Sequence, residues 1–133
     1  MTLISGSYAI ISLDLDRLKY VNDTYGHLEG DKMLKTFAEM LVKSFESASL
    51  IGRIGGDEFI VVIENPSADI CDKCIRKLEK NMEDFNLAGK ENFRISTSVG
   101  YAYSNELHNK DYKELFFLAD TRMYEMKERH HHE

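Results

Sequence analysis

The apolar residues follow two spacings along the chain, and each spacing predicts one kind of element. Continuous or alternating apolar runs are typical of strands, and they cover about 8–16, 50–54, 58–64 and 93–103. Steps of three and four residues mark one face of a helix, and they cover 32–45, 69–85 and 111–129. A short polar stretch, 17–25, precedes the first of these helices. We therefore predict the order β-α-α-β-β-α-β-α, an α/β sandwich of the α+β kind with a central, mostly antiparallel sheet flanked by helices.

Glycine positions and chain length predict where the turns lie and how many domains the chain forms. The pair Gly55-Gly56 lies between two apolar runs and predicts a tight hairpin, because glycine adopts positive φ values easily. Residues 27–31 are predicted to form a loop, with Asp31 capping the helix that follows. A chain of 133 residues has room for one domain, which we place at 1–129. We interpret residues 130–133 as a tag remnant or terminal extension.

Composition narrows the classes of function. The formal net charge is −6, which argues against a nucleic-acid partner, since such proteins need a basic face. The acidic balance does not exclude a nucleotide, whose phosphates a bound cation and a few lysines can neutralise. No apolar run is long enough to cross a bilayer and no signal peptide is evident. We therefore expect a cytoplasmic domain without membrane contact.

The two cysteines are spaced as C-x-x-C, at Cys71 and Cys74. A zinc site would need a second pair of ligands, and a redox motif normally opens a helix after a strand. Both cysteines lie inside a charged helical stretch, so we interpret them as ordinary helix residues.

Pairs of acids follow two of the predicted strands. Asp14 and Asp16 end the first strand, and Asp57 and Glu58 follow the glycine turn. Carboxylates at strand ends commonly bind divalent cations, but a solvated turn and a helix cap by Asp16 are alternatives. If the first strand lies beside the hairpin, Asp14 comes close to Asp57, as a two-metal site requires.

Four motifs resemble the GGDEF domains of bacterial diguanylate cyclases. Residues 53–59 read R-I-G-G-D-E-F and contain the signature in full. Residues 13–27 are similar to the family's F-D-x-D-x-F-K-x-x-N-D-x-x-G-H stretch, and Gly30-Asp31 follows. Residues 94–100 are similar to its T-x-S-x-G strand, and 119–127 resemble its A-D-x-A-M-Y-x-A-K helix. The motifs occur in the family's order over most of the chain.

This resemblance implies a fold, a reaction and a role for individual residues. The fold would be related to the palm of nucleotidyl cyclases and polymerases, and the reaction would join two GTP into cyclic di-GMP. The implied metal ligands, for Mg²⁺ or Mn²⁺, are Asp14, Asp57 and the backbone carbonyl of Leu15. The implied guanine ligands are Asn22 and Asp31. The implied phosphate ligands are Lys19, Lys127 and the backbone N–H groups around Arg17 and Leu18, and Glu58 would help to position the reacting ribose.

The resemblance also implies partners. One domain holds one GTP, so catalysis would need a second GGDEF domain facing the first, and the parent protein would add a sensor or effector domain. The family's helix and D-x-L-T-G-L-x-N-R segment before the first strand are absent from 1–7, so we expect the isolated chain to be slow or inactive. Two alternatives stay open: a catalytically silent GTP-binding module that regulates an attached effector domain, and an interaction domain with a vestigial site.

Overall fold

A computed structural model describes residues 6–108 and 111–131 and has the predicted order of elements. A single turn of 3₁₀ helix, Ser104–Glu106, is additional. The strands and helices are β1 (Tyr8–Leu15), α1 (Leu18–Tyr25), α2 (His27–Ser44), β2 (Leu50–Arg53), β3 (Glu58–Glu64), α3 (Ile70–Ala88), β4 (Thr97–Tyr103) and α4 (Tyr112–His131).

The four strands form one sheet in the order β2-β3-β1-β4, and all three pairings are antiparallel. The fold class predicted from the sequence is therefore confirmed. Strand β1 lies in the centre of the sheet, between the hairpin and β4. In this register Asp14 stands directly opposite Glu58, so the end of β1 meets the tip of the hairpin.

The face of the sheet under α2 and α3 holds the larger part of the core. Alternate residues of β1, from Ala9 to Leu15, point into it together with Phe59, Val61 and Ile63 of β3. Phe37 of α2 packs edge-on against Phe59, with ring centroids 5.2 Å apart. Because every other strand residue faces this side, the opposite face receives a different set of side chains.

Helix α4 covers the opposite face and packs on β4 and β1. Its approach to β4 is close enough to require a glycine: a Cβ on Gly100 would lie 2.2 Å from the backbone nitrogen of Met123 and 2.4 Å from the carbonyl of Ala119. A small cluster of Ile10, Ala102, Leu115 and Ala119 fills the apolar part of this interface.

Two boundary predictions are wrong. Residues 27–31 are the first turns of α2 and not a loop, so Asp31 lies inside the helix and caps nothing. The turn that separates α1 from α2 is Gly26 alone, at φ 95°, and its N–H bonds to the carbonyl of Asn22. Strand β4 begins at Thr97 rather than at residue 93, because the Asn86 side chain pairs with both the N–H and the carbonyl of Ile95 in place of a neighbouring strand.

Cys71 and Cys74 are free, buried residues of α3, as predicted. Burial raises the pKa of the Cys71 thiol to about 11, which disfavours the reactive thiolate. Within residues 6–108 and 111–131, none of the helices combines the length and the apolar character needed to cross a membrane.

Candidate functional site

Four charged side chains meet where β1 ends, at the tip of the hairpin and against the last turns of α4. They are Asp14, Asp57, Glu58 and Lys127. A backbone hydrogen bond of 2.8 Å from the Leu15 N–H to the Asp57 carbonyl fastens the hairpin to β1. The structure thus places Asp14 beside Asp57, as the predicted pairing of the strands requires.

Asp14 is the most buried acid of this group, with a relative exposure of 4%. Its Oδ2 lies 2.5 Å from the Lys127 ammonium, a contact between residues 113 positions apart in the sequence. Its Oδ1 is buried and has no hydrogen-bond partner. A buried carboxylate oxygen without a donor is costly, so this atom marks a place that suits a cation.

The two acids of the turn have different surroundings. Burial and the neighbouring Asp14 raise the pKa of Asp57, while Lys127 opposes the shift. Burial and a hydrogen bond with Asp120 raise the pKa of Glu58 to about 7. Asp57 thus has the carboxylate of Asp14 as its acidic neighbour, whereas Glu58 has Asp120 of α4.

Two residues beside Glu58 were not predicted from the sequence. The Ser12 hydroxyl lies 2.9 Å from Asp120 Oδ1 and 3.3 Å from Glu58 Oε2. Ser12 precedes Asp14 by two residues, and Asp120 belongs to the A-D-x-A-M-Y-like segment. The period-two spacing places Ser12 on the same face as Asp14, and the motif singles out Asp120. Neither signal indicates that Ser12 and Asp120 contact each other.

The residues implied in guanine binding lie on the helix pair α1–α2. A Cβ on Gly30 would fall 1.7 Å from the Asn22 side-chain oxygen, so Gly30 is the residue that allows Asn22 to lie against α2. Asp31 follows directly, is exposed, and lines a groove of about 520 Å³ between α2 and β2. Asn22 and Asp31 are thus presented from neighbouring helices at one end of the domain.

The start of α1 has the features of an anion site. Arg17 precedes the helix at φ 67°, and no side chain caps the N–H groups of the first turn. Uncapped N–H groups at a helix start attract phosphates, which agrees with the role that the resemblance implies for Arg17 and Leu18. Lys19 is not gathered with the carboxylates: it pairs with Asp23 at 2.9 Å, and its side chain is 90% exposed.

Asp16 does not cap α1, so that alternative for its role is wrong. Its two carboxylate oxygens instead accept hydrogen bonds from the Ser96 and Ser98 hydroxyls. His130 lies 3.5 Å from the same carboxylate.

The donor set around Asp14 fits a divalent cation when a backbone oxygen is included. The described residues, 6–108 and 111–131, contain no group of three His, Cys, Asp or Glu side chains that could hold a metal ion. Asp14 and Asp57 supply two carboxylates, and the Leu15 carbonyl is the predicted third ligand. Asp14 Oδ1 has no hydrogen-bond partner, and burial and Asp14 raise the pKa of Asp57, so a cation beside the two carboxylates would stabilise their charged forms. Mg²⁺ commonly binds through only one or two carboxylates and completes its shell with water and phosphate.

Known proteins resemble the chain both in sequence and in fold. The family model described as "Diguanylate cyclase, GGDEF domain" matches residues 4–133. An uncharacterized membrane protein of Staphylococcus haemolyticus is 35% identical over 123 residues, which are 91% of this chain and 35% of that protein. The chain thus spans about a third of the length of this relative.

Two solved structures show the same fold. The GGDEF domain of PA1120 (TpbB or YfiN) from Pseudomonas aeruginosa has a TM-score of 0.79 and 29% identity, covering 93% of this chain and 73% of that one. An active GGEEF domain of a diguanylate cyclase from Vibrio cholerae has a TM-score of 0.72 and 26% identity, covering 93% and 78%. With a family match over nearly its whole length, the chain belongs to the GGDEF domain family of diguanylate cyclases.

Proposed function

We propose that this domain joins two GTP molecules into cyclic di-GMP when two copies face each other. The observation that carries the proposal is the nearness of Asp57, at the hairpin tip, to Asp14 at the end of β1, with one buried Asp14 oxygen left without a donor. The active GGEEF domain from Vibrio cholerae, which has the same fold, supports an active rather than a silent domain.

In this proposal the substrate binds across the front of the domain. Asn22 and Asp31 present a hydrogen-bond donor and an acceptor, which together distinguish guanine from adenine. The N–H groups at Arg17 and Leu18 bind phosphate at the start of α1. Lys19, which is exposed, is free to turn from Asp23 towards the phosphates.

Asp14, Asp57 and the Leu15 carbonyl would hold Mg²⁺ or Mn²⁺. When bound, such cations neutralise charge on the attacking and leaving oxygens of the displacement at the α-phosphate. In the free protein Lys127 forms an ion pair with Asp14. With a cation bound at Asp14, Lys127 would be released to bind the phosphates. Glu58, opposite Asp14, helps to orient the ribose whose 3′-hydroxyl attacks.

The partners follow from the chemistry. Each domain binds one GTP, so a twofold pair is needed to bring each 3′-hydroxyl to the other α-phosphate. We propose that a sensor or effector domain in the parent protein controls this pairing and that the domain works in the cytoplasm. Neither nucleic acid nor membrane is a partner of the domain itself.

The experiment is to measure cyclic di-GMP and GTP binding together, in the chain and in the chain fused to a dimeric coiled coil. We expect product from the fused dimer with Mg²⁺ and none from its Asp57→Asn variant. Magnesium-dependent GTP binding without product would instead indicate the silent regulatory module. Loss of GTP binding altogether would leave an interaction domain with a vestigial site.

A further inference from the structure

Glu58 is held by two side chains that come from two other elements. Ser12 is fully buried on β1 and lies within hydrogen-bond distance of both Glu58 and Asp120. Burial and the nearness of Asp120, on α4, raise the pKa of the Glu58 carboxyl. The Ser12 hydroxyl therefore lies between the two carboxyls, so the position of Glu58 depends on β1 and α4 as well as on β3.

The position of Asp120 is itself fixed by the packing of α4. Its neighbour Ala119 is completely buried, and the Ala119 carbonyl lies 2.4 Å from where a Cβ on Gly100 would be. The backbone of α4 thus touches the backbone of β4 one residue before Asp120. A group carried by an element packed in this way holds its partner in one place.

Helix α4 places groups of opposite charge beside Asp14 and Glu58. It presents the Lys127 ammonium to Asp14 and, about two turns earlier, the Asp120 carboxyl to Glu58. Lys127 neutralises its partner, whereas Asp120 adds another acid, so charge neutralisation does not explain the second contact. The Ser12 hydroxyl, within hydrogen-bond distance of both carboxyls, does explain it, because this link sets the direction of the Glu58 side chain.

We propose that Asp120, with Ser12, is a positioning residue that holds Glu58 beside the cation site. The inference rests on the proposed function for its catalytic meaning, and Asp120 acts only through Glu58. In a site where groups must be placed accurately, a displacement of about 1 Å lowers the rate by about a hundredfold.

The first test measures the position of Glu58 without turnover. The side-chain carboxyl resonance of Glu58 is observed by ¹³C NMR in the metal-free chain and identified by its loss in Glu58→Gln. We expect it to shift in Asp120→Ala and in Ser12→Ala and to stay in place in Glu114→Ala, which removes an exposed acid of the same helix. An unchanged resonance in both test variants overturns the inference.

The second test separates positioning from folding. In the fused dimer we expect Asp120→Ala to lower kcat by about tenfold to a hundredfold, with KM for GTP changed by less than about twofold. Asp120→Asn, whose amide can still hydrogen-bond to Glu58 and Ser12, should restore kcat to within about threefold of the original. Equal losses in the Ala and Asn variants, or a raised KM with an unchanged kcat, would contradict a positioning role.

The two proposals can fail separately. If the fused dimer makes no cyclic di-GMP, the proposed function is wrong, while the NMR comparison still decides whether Asp120 and Ser12 hold Glu58. If Asp120→Ala does not fold, Ser12→Ala and Asp120→Asn replace it in the NMR and kinetic tests.

Discussion

The two faces of the sheet are filled in different ways, although the same central strand serves both. Under α2 and α3, β1 contributes Ile11, Leu13 and Leu15 to an apolar core. Under α4 it contributes Ile10 and then two polar residues, Ser12 and Asp14. One face is built for burial, and the other changes from apolar to polar towards the hairpin tip.

The two faces of the sheet contribute differently to the stability of the domain. Asp57 and Glu58 have raised pKa values because burial and their acidic neighbours disfavour the charged forms. That arrangement lowers stability at neutral pH. The apolar face must therefore supply most of the stability, and four experiments can test this division between the two faces.

The largest effect is expected from neutralising the metal ligands on the polar face. Asp57→Asn and Asp14→Asn keep the size of the side chain and remove a charge, so turnover in the fused dimer should fall by about a thousandfold or more. The measurement is cyclic di-GMP formation at saturating GTP. Urea unfolding should show no loss of stability in Asp57→Asn, because removing one of two crowded acids relieves repulsion, whereas Asp14→Asn also loses the ion pair with Lys127. Near-normal turnover in either variant would show that the ligand assignment is wrong.

The next effect concerns stability and belongs to the apolar face. Phe37 is completely buried, so Phe37→Ala should lower the free energy of unfolding by about 3–5 kcal/mol. Val42 lies on the same helix with 61% of its surface exposed, and Val42→Ala should change stability by about 0.5 kcal/mol or less. Urea denaturation of both variants provides the measurement. Similar losses in the two would mean that the core does not lie where the structure places it.

A smaller effect is expected at the guanine site. Asn22→Ala removes one of the two guanine ligands and should weaken GTP binding by about 1–3 kcal/mol. Gly30→Ala should have a similar effect, since its Cβ would displace the Asn22 side chain. Calorimetric titration with GTP and Mg²⁺ measures both, with Asn92→Ala, at an exposed asparagine, as the control. Unchanged affinity in Asn22→Ala would remove this residue from the site.

The smallest effect is a change in the pH dependence of stability. Burial and Asp120 raise the pKa of Glu58 from 4.5 to about 7, so the folded chain binds this proton more tightly than the unfolded chain does. Stability from this group is therefore present at low pH and is lost as pH rises towards about 7. Glu58→Gln should flatten the pH dependence of urea unfolding over that window in the metal-free chain, while Glu114→Gln should not. An unchanged slope in Glu58→Gln would show that this proton is not linked to folding.

Much of the fold could be predicted from local patterns. The helices α2 and α3 follow from apolar spacing, and the hairpin follows from Gly55-Gly56 between two strand-like runs. The start of α2 was missed because Gly30 is a poor helix former, yet here its missing side chain is what accommodates Asn22. The start of β4 was missed because Asn86, in α3, satisfies the backbone of Ile95, which no local pattern shows.

The sequence by itself determined the order of the elements, the family and the candidate residues, since these depend on spacing and on motifs that lie within a few residues of one another. Only the tertiary structure decided that Lys127 pairs with Asp14 and that Ser12 and Asp120 surround Glu58. These contacts join residues 46 to 113 positions apart. The physical reason is that they depend on how closely α4 packs on the sheet, and the close backbone contact at Gly100 sets that packing.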